Sequence, residues 1–381
     1  MKKAVSCLTS MSALAAGIAL AVPATAATAA VSRPASQANY TTFPGRLYSV
    51  AAVSARDVWA AGLSTGGSLI VHWNGSAWSR SFAGGGYFSG LAASSARDVW
   101  AVGGTNWFSP VRTLAEHWNG SSWRQIATPS PAGGGRFEAV TATSASNAWA
   151  VGLAGPGPGI PSPATPLIEH WNGRHWTIQH YQVPASGGQF AGVAAASPAN
   201  AWAVGSTGPF GERTGHQTLI EHWNGRHWTR VPSPNVGTAS YLASVTVVSS
   251  DNAWAVGTYT AAGGTSATLT LYWNGAHWTV VPSQSPGGDA EFIGVAASWT
   301  HNIWAVGIRN PNRCGNGPKC KTLVEHWNGD CWTLVASPNP PSGYLNGLFS
   351  VSAVSRTDIW AVGTTDYGST LIVHWNGSAW S

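Results

Sequence analysis

The sequence predicts an all-β protein, a seven-bladed β-propeller of four-stranded antiparallel blades. Three observations carry the prediction. The decapeptide IEHWNGRHWT occurs twice, letter for letter, at 168–177 and 220–229. Of 23 tryptophans, 21 fall into a repeated triplet. The chain holds 46 glycines and 23 prolines with few helix-favouring stretches, which suits many short strands joined by turns.

Aligning W-N-G gives Trp73, Trp118, Trp171, Trp223, Trp273, Trp327 and Trp375. Five residues on stands a second indole, at Trp78, Trp123, Trp176, Trp228, Trp278, Trp332 and Trp380. A third precedes them in [DN]-x-W-A-[AV]-G: Trp59, Trp100, Trp149, Trp202, Trp254, Trp304 and Trp360, spaced 41–56 residues apart. Only Trp107 and Trp299 stand outside this pattern. A period of this length with four strands per unit is the sequence mark of a propeller.

Within a unit, the first strand is small and β-branched, as in FAGVAAA from Phe190. A Ser-x-x-[Asp/Asn] turn follows, whose short polar side chains bond the local backbone. The second strand is AWAVG and the third TLIEHW. Asn-Gly is expected to form a two-residue type I′ hairpin, leading to a fourth strand, xWTxVPSP. Blades pack face to face, so large flat indoles belong in the interfaces between them. The last unit stops at Ser381 without its T-x-V-P. Residues 40–44, YTTFP, match the shape of Trp228-Thr-Arg-Val-Pro232 and are expected to close the ring as the outer strand of blade seven. Trp380 already occupies the first position of that strand, and a chain truncated at its C-terminus is the alternative.

The pattern [DN]-x-W-A-V-G…L-[IV]-E-H-W-N-G-x-x-W resembles the Trp-rich repeat of secreted actinobacterial propeller proteins. It is more distantly similar to kelch and galactose-oxidase propellers, and to bacterial seven-bladed propeller lectins with a W-x-G-x-x-W hairpin. The resemblance covers about 47–381 and implies an architecture rather than an activity. The WD40 Gly-His…Trp-Asp signature, the sialidase Asp-box and the quinoprotein pattern are all lacking.

Ahead of the propeller, Lys2 and Lys3, an apolar run at 13–22 and Ala-Thr-Ala at 24–26 and 27–29 read as a signal peptide, 1–29. Cleavage is expected near Ala26 or Ala29, leaving an N-terminal segment, 30–46, and the propeller, 47–381, as a secreted protein. The run is too short to cross a bilayer. Only 9% of residues are charged and the arginines are scattered, which argues against a disordered chain and against a nucleic-acid partner. A monomer is expected.

His72, His117, His170, His222, His326 and His374 recur once per blade and so do not converge on a metal. No metal and no cofactor is expected. Val71, Leu271 and Val373 replace the glutamate of E-H-W, so that position accepts an apolar residue. Asn74, Asn119 and Asn376 stand in N-G-S sequons but read as turn residues. In repeat six, a Cys314–Cys320 disulfide is expected to pin the loop CGNGPKC. Cys331 is expected to be a free thiol, because a ladder setting His326 opposite Cys331 holds Cys320 and Cys331 too far apart.

No nucleophile elbow or phosphate-binding glycine loop occurs, and the chain is read as non-enzymatic, with no catalytic residue. A hydrolase would need two close carboxylates; Glu212, Asp289, Glu291 and Asp366 are available, but nothing in the sequence pairs them. An oxidase of galactose-oxidase type would need Tyr and His near the axis, where the first strands supply no His.

The loop joining the second and third strands carries most of the length variation, since the first and second tryptophans lie 14–23 residues apart. Variable loops on a rigid scaffold are where binding concentrates. Those loops bear Trp107, Phe108, Phe210, Arg213, His216, Tyr259, Arg309, Arg313, Lys319 and Tyr367, side chains suited to sugar stacking or protein contact. The expected function is therefore a binding module for an extracellular glycan, with a protein-interaction scaffold as the alternative. Trp299, at the opposite end, marks a second, smaller contact.

Overall fold

Each repeat folds as an antiparallel meander in which strand order in space is strand order in sequence. The computed structural model describes residues 42–106, 111–131, 133–155, 164–208, 215–286, 288–311, 319–341, 344–366 and 368–381. The expectations for residues 1–41, the signal peptide among them, lie outside these. Blade one comprises Arg46–Ser54, Asp57–Ser64, Gly67–Trp73 and Trp78–Gly84. Six sheets have four strands and the seventh has three. In blades two to six the fourth strand is only three residues long, as in Trp228–Arg230; in blade four Pro232 and Pro234 follow, with no N–H to extend the ladder.

The W-N-G-x-x-W spacing has a geometric cause. Trp73 lies opposite Trp78, Trp223 opposite Trp228, and the other pairs likewise, with four residues in the loop between. The expected two-residue turn is thus a four-residue one. The Asn does not adopt positive φ; its Oδ1 accepts the N–H groups of the two residues after the glycine, at 3.0 and 3.1 Å for Asn224. The glycine alone takes φ of +91° to +108°. The register in blade six moves accordingly: His326 faces Thr333, and Cys320 bridges to Leu345 rather than to the neighbourhood of Ser337.

Cys331 is disulfide-bonded, which corrects the expected free thiol, and Cys320 is disulfide-bonded too. The ladder argument excluded only the pairing of those two with each other, not a bond to a cysteine elsewhere. Cys314 lies outside the described residues.

The two invariant turns meet at one end of the blade. The indole N–H of Trp73 donates to the Ala55 carbonyl at 3.2 Å, tying the Asn-Gly loop to the Ser-x-x-Asp turn, and Trp171 repeats this on Ala145 at 2.9 Å. Above this junction the histidine of E-H-W bonds the Asp or Asn that opens the second strand. His72–Asp57, His117–Asp98, His170–Asn147, His222–Asn200, His326–Asn302 and His374–Asp358 span 2.5–2.9 Å. Each imidazole also lies on the first tryptophan of its own blade, with centroids 3.9 Å apart for Trp59 and His72. The histidines are therefore paired inside separate blades, and no cluster of metal-ligating side chains occurs among the described residues.

The core lies between blades. Trp59 is 2% exposed and packs on Trp118 and Trp123 of blade two, at 5.2 and 5.5 Å. The same box recurs around the ring, ending with Trp360 of blade seven on Trp73 and Trp78 of blade one, each at 5.6 Å. Tilted and edge-on pairs of this kind stabilise beyond the area they bury. Two short stretches lie on the outer edge of blade seven. The Thr370 N–H donates to the Phe43 carbonyl at 2.9 Å, and Pro44 bridges to Ser369. Further along the same strand, His374 and Ser381 exchange backbone bonds of 2.9 and 3.0 Å.

Candidate functional site

The first strands, Arg46–Ser54, Tyr87–Ser95, Gly135–Ser144, Gly188–Ser197, Ala239–Ser249, Ala290–Trp299 and Asn346–Ser355, surround the propeller axis. Each carries a fully buried Leu or Phe near its start: Leu47, Phe88, Phe137, Phe190, Leu242, Phe292 or Leu348. Opposite it stands the glycine of W-A-[AV]-G. A Cβ on Gly205 would lie 2.0 Å from the Gln189 carbonyl oxygen, and at Gly307 the gap to Glu291 is 1.9 Å. The motif needs glycine because two backbones meet there, not for its conformational freedom.

Immediately after the buried residue, the ladder skips one position in every blade. Leu47 pairs with Gly62 and Ser49 with Ala61, leaving Tyr48 as a β-bulge. The equivalent bulged residues are Ser89, Glu138, Ala191, Ala243, Ile293 and Phe349. A bulge re-aims its side chain out of the pleat. All seven of these residues line one axial cavity of about 450 Å³.

The cavity wall is uneven. Blades seven, one, two and three contribute Phe349, Tyr48, Tyr87, Arg136 and Glu138; blades four, five and six contribute Ala191, Ala243 and Ile293. Tyr48 and Phe349 stack at 5.7 Å with planes 25° apart. Arg136 Nε donates to Glu138 Oε1 at 2.6 Å, with side chains 14% and 25% exposed. Burial works against the Arg136 charge, and the Glu138 carboxylate beside it more than restores it, holding the guanidinium ionised. Burial pushes the Tyr87 phenol well above its ordinary value, and burial also raises that of Tyr48 against the opposing charge and hydrogen bond of Arg46. Both are neutral donors near pH 7. Arg46 and Tyr48 also border a second cavity of about 400 Å³ with Gly45, Leu63 and Thr65. Serine hydroxyls brace the wall from blade to blade. Ser49 accepts the Leu91 N–H at 2.9 Å, Ser350 accepts that of Val50 at 3.2 Å, and Ser89 donates to the Phe137 carbonyl at 2.5 Å.

Of the ten residues expected from the loops, four are described. Trp107, Phe108, Phe210, Arg213, Arg313 and Tyr367 lie outside the described residues. His216 is 7% exposed, its Nδ1 2.7 Å from the Thr207 carbonyl oxygen and its ring 4.7 Å from Tyr241. Tyr259 packs beside the core between blades four and five, and Arg309 ends its strand opposite Ala290 and Lys321. Lys319 is exposed; Nζ donates to the Pro341 carbonyl at 2.6 Å and sits 5.8 Å from the Tyr344 ring. None of these four lines the axial cavity. Of the carboxylates considered for hydrolysis, Asp289 accepts the Ser266 N–H at 2.8 Å and Asp366 accepts that of Tyr344. Burial and then Asp289 raise the Glu291 carboxyl. Glu212 lies outside the described residues.

Sequence reasoning missed Tyr48, Tyr87, Arg136, Glu138 and Phe349. A signal was present. Beside the constant Phe or Leu, the first strands read Y, S, E, A, A, I and F on one side and R, Y, R, Q, Y, E and G on the other, while the W-A-[AV]-G and W-N-G-x-x-W motifs hardly change.

Comparison with protein-family profiles and with curated protein sequences gives no match. Solved structures do match. YCF48 bound to D1 peptide superposes with a TM-score of 0.54 at 14% identity, over 90% of this chain and 98% of that one. The WD40 β-propeller domain of Doa1 gives 0.56 at 10% identity, over 87% and 95%. The GH74 xyloglucanase from Xanthomonas campestris gives 0.57 at 13% identity, over 89% of this chain but 54% of the enzyme. At these identities the likeness is one of fold. The chain is a seven-bladed propeller, a fold that these proteins put to different uses.

Proposed function

We propose that this chain is a secreted, non-enzymatic binding module that takes a carbohydrate in the axial cavity. The observation that carries the reading is the uneven wall: stacked Tyr48 and Phe349 beside the Arg136–Glu138 pair, facing Ala191, Ala243 and Ile293 across the axis. A sugar ring has an apolar face that lies on aromatic carbon and hydroxyls that bridge a guanidinium and a carboxylate, while the small residues leave it room. Among the described residues the only carboxylate lining the cavity is Glu138, held by Arg136, whereas glycoside hydrolysis commonly uses a pair.

A glycan array tests this, with titration calorimetry on any saccharide that binds. Arg136→Gln and Tyr48→Ala are each expected to weaken binding by about tenfold or more, with unfolding midpoints near that of the parent. Binding lost in Trp107→Ala with Phe210→Ala, and untouched by the two cavity substitutions, would move the site to the loops. Silence across the array from folded protein would overturn the glycan. A second reading draws on the propeller named as bound to a peptide, which shares this fold over nearly its whole length. The same cavity mouth would then receive a peptide side chain, and a peptide array with the same substitutions decides between the two.

A further inference from the structure

At the end of the propeller away from the variable loops, the face is built from fourteen short turns. It is regular in backbone and irregular in charge. Blades one, two and seven carry Arg56, Arg97 and Arg356 in the turn between first and second strands. Blades three and four carry Arg174 and Arg226 in the Asn-Gly loop. Blade seven packs on blade one, so these five blades are consecutive around the ring. Blades five and six carry Asp251 and Asp330 instead. All five arginines are exposed, and none joins the ion pairs found among the described residues. The aspartates next to the arc, Asp57, Asp98 and Asp358, turn inward to His72, His117 and His374 and leave the guanidinium groups uncompensated.

The arc ends at an exposed indole. In five blades the serine that opens the turn accepts the N–H two residues on, as Ser54 does from Arg56 at 3.2 Å and Ser355 from Thr357 at 3.2 Å. Blade six has Trp299 there, which forgoes that bond and leaves the ring 59% exposed. The Arg356 guanidinium lies 5.8 Å from its centroid. A tryptophan that replaces a turn-capping hydroxyl and buries little of itself contributes little to the fold; its exposed face is available to a ligand.

We propose that this hairpin face is a second binding surface, for a linear anionic polysaccharide. Its sulfate or phosphate groups lie along the arginine arc and one sugar ring stacks on Trp299. Guanidinium groups pair bidentately with such anions, and an arc of one charge per blade follows a linear polymer better than it fits a compact anion. A single exposed indole favours a polysaccharide over a single-stranded nucleic acid, whose binding uses successive stacking platforms.

The test uses the full chain with dextran sulfate, neutral dextran of equal length, inorganic polyphosphate and oligothymidylate. The variants are Arg56→Gln/Arg97→Gln/Arg356→Gln, and Trp299→Ser, which installs the residue that the other six blades carry at this position. Dextran sulfate is expected to bind and neutral dextran not to. The triple substitution is expected to weaken dextran sulfate about ten- to a hundredfold and to lower the slope of log K against log salt by roughly two to three. Trp299→Ser is expected to weaken dextran sulfate by roughly fivefold and to leave polyphosphate unchanged. Absence of dextran sulfate binding, or binding insensitive to the triple substitution in a protein with an unchanged melting curve, overturns the proposal. Tighter binding of oligothymidylate, weakened by Trp299→Ser, also overturns it and assigns the face to nucleic acid. Failure of the axial site leaves this outcome unaffected, since no residue is shared.

Discussion

Glu169 offers the sharpest test of how the blade interfaces are built. It sits in the third strand of blade three, opposite Ala150, and is 0% exposed. Neither carboxylate oxygen has a hydrogen-bond partner among the described residues, and burial pushes its carboxyl from 4.5 up to about 8. The folded protein therefore carries it protonated near neutrality, while the unfolded chain ionises it. A folded-state value above the unfolded one gives stability that is fully present below pH 4.5 and is lost as pH rises toward 8. At about 1.4 kcal/mol per pH unit, the cost relative to the unfolded chain is about 1 kcal/mol at pH 5 and at most about 4 at pH 7.5. Blades one and seven place Val71 and Val373 here, of similar volume, opposite the equivalent alanines. Glu169→Val is therefore expected to stabilise the protein, and by about 3 kcal/mol more at pH 7.5 than at pH 5. With about 2 cal/mol/K of unfolding entropy per residue over roughly 340 residues, that difference amounts to about 4 °C in Tm. Paired melting curves of parent and variant at both pH values measure it. The other buried glutamates titrate in both proteins and cancel. A gap between variant and parent that is the same at pH 5 and pH 7.5 would refute the reasoning.

Three further outcomes follow from the repeat. Asp98→Asn is expected to cost less than about 1 kcal/mol in urea unfolding, since Asn147, Asn200 and Asn302 make the same bond to histidine, whereas Asp98→Ala strands His117 and costs about 1–3. Burial opposes the Asp98 charge, but bonds from His117 and Ser94 hold its carboxyl below the ordinary value. Its contribution is thus present above pH 3.8 and lost as pH falls through the lower folded value, a loss that Asp98→Ala removes from an acid titration. Gly205→Ala drives a Cβ to 2.0 Å from a carbonyl and is expected to cost about 3 kcal/mol or more, while Gly66→Ala, with nothing within 4 Å, stays within about 1; their denaturation midpoints tell them apart. Trp380→Ala is expected to cost about 3–5 kcal/mol, because Trp380 is 7% exposed and packs 5.5 Å from Trp304 across the interface between blades six and seven; calorimetric melting measures the loss.

The sequence by itself determined the architecture. Indoles at W-N-G-x-x-W face each other across two strands, and [DN]-x-W puts a third indole into the neighbouring blade, so three spacings recurring seven times leave one way to bury them. It also showed that the E-H-W histidines belong to separate blades, because the repeat holds one in each. Tertiary structure alone decided the rest. A bulge shifts Tyr48, Glu138 and Phe349 out of the alternation that a period-two reading assumes, and only closure of the ring brings Tyr48 and Phe349, at opposite ends of the propeller sequence, into one cavity. Val71, Leu271 and Val373 showed in sequence that the glutamate position of E-H-W accepts an apolar residue, but only the structure shows Glu116, Glu169, Glu221 and Glu325 buried there. Arg56, Arg97, Arg174, Arg226 and Arg356 look scattered along the chain and lie on one face, because five consecutive blades raise the same two turns to the same end. Local spacing sets which side chains a blade must bury; the placement of the remaining side chains is set by contacts between blades, which no single repeat encodes.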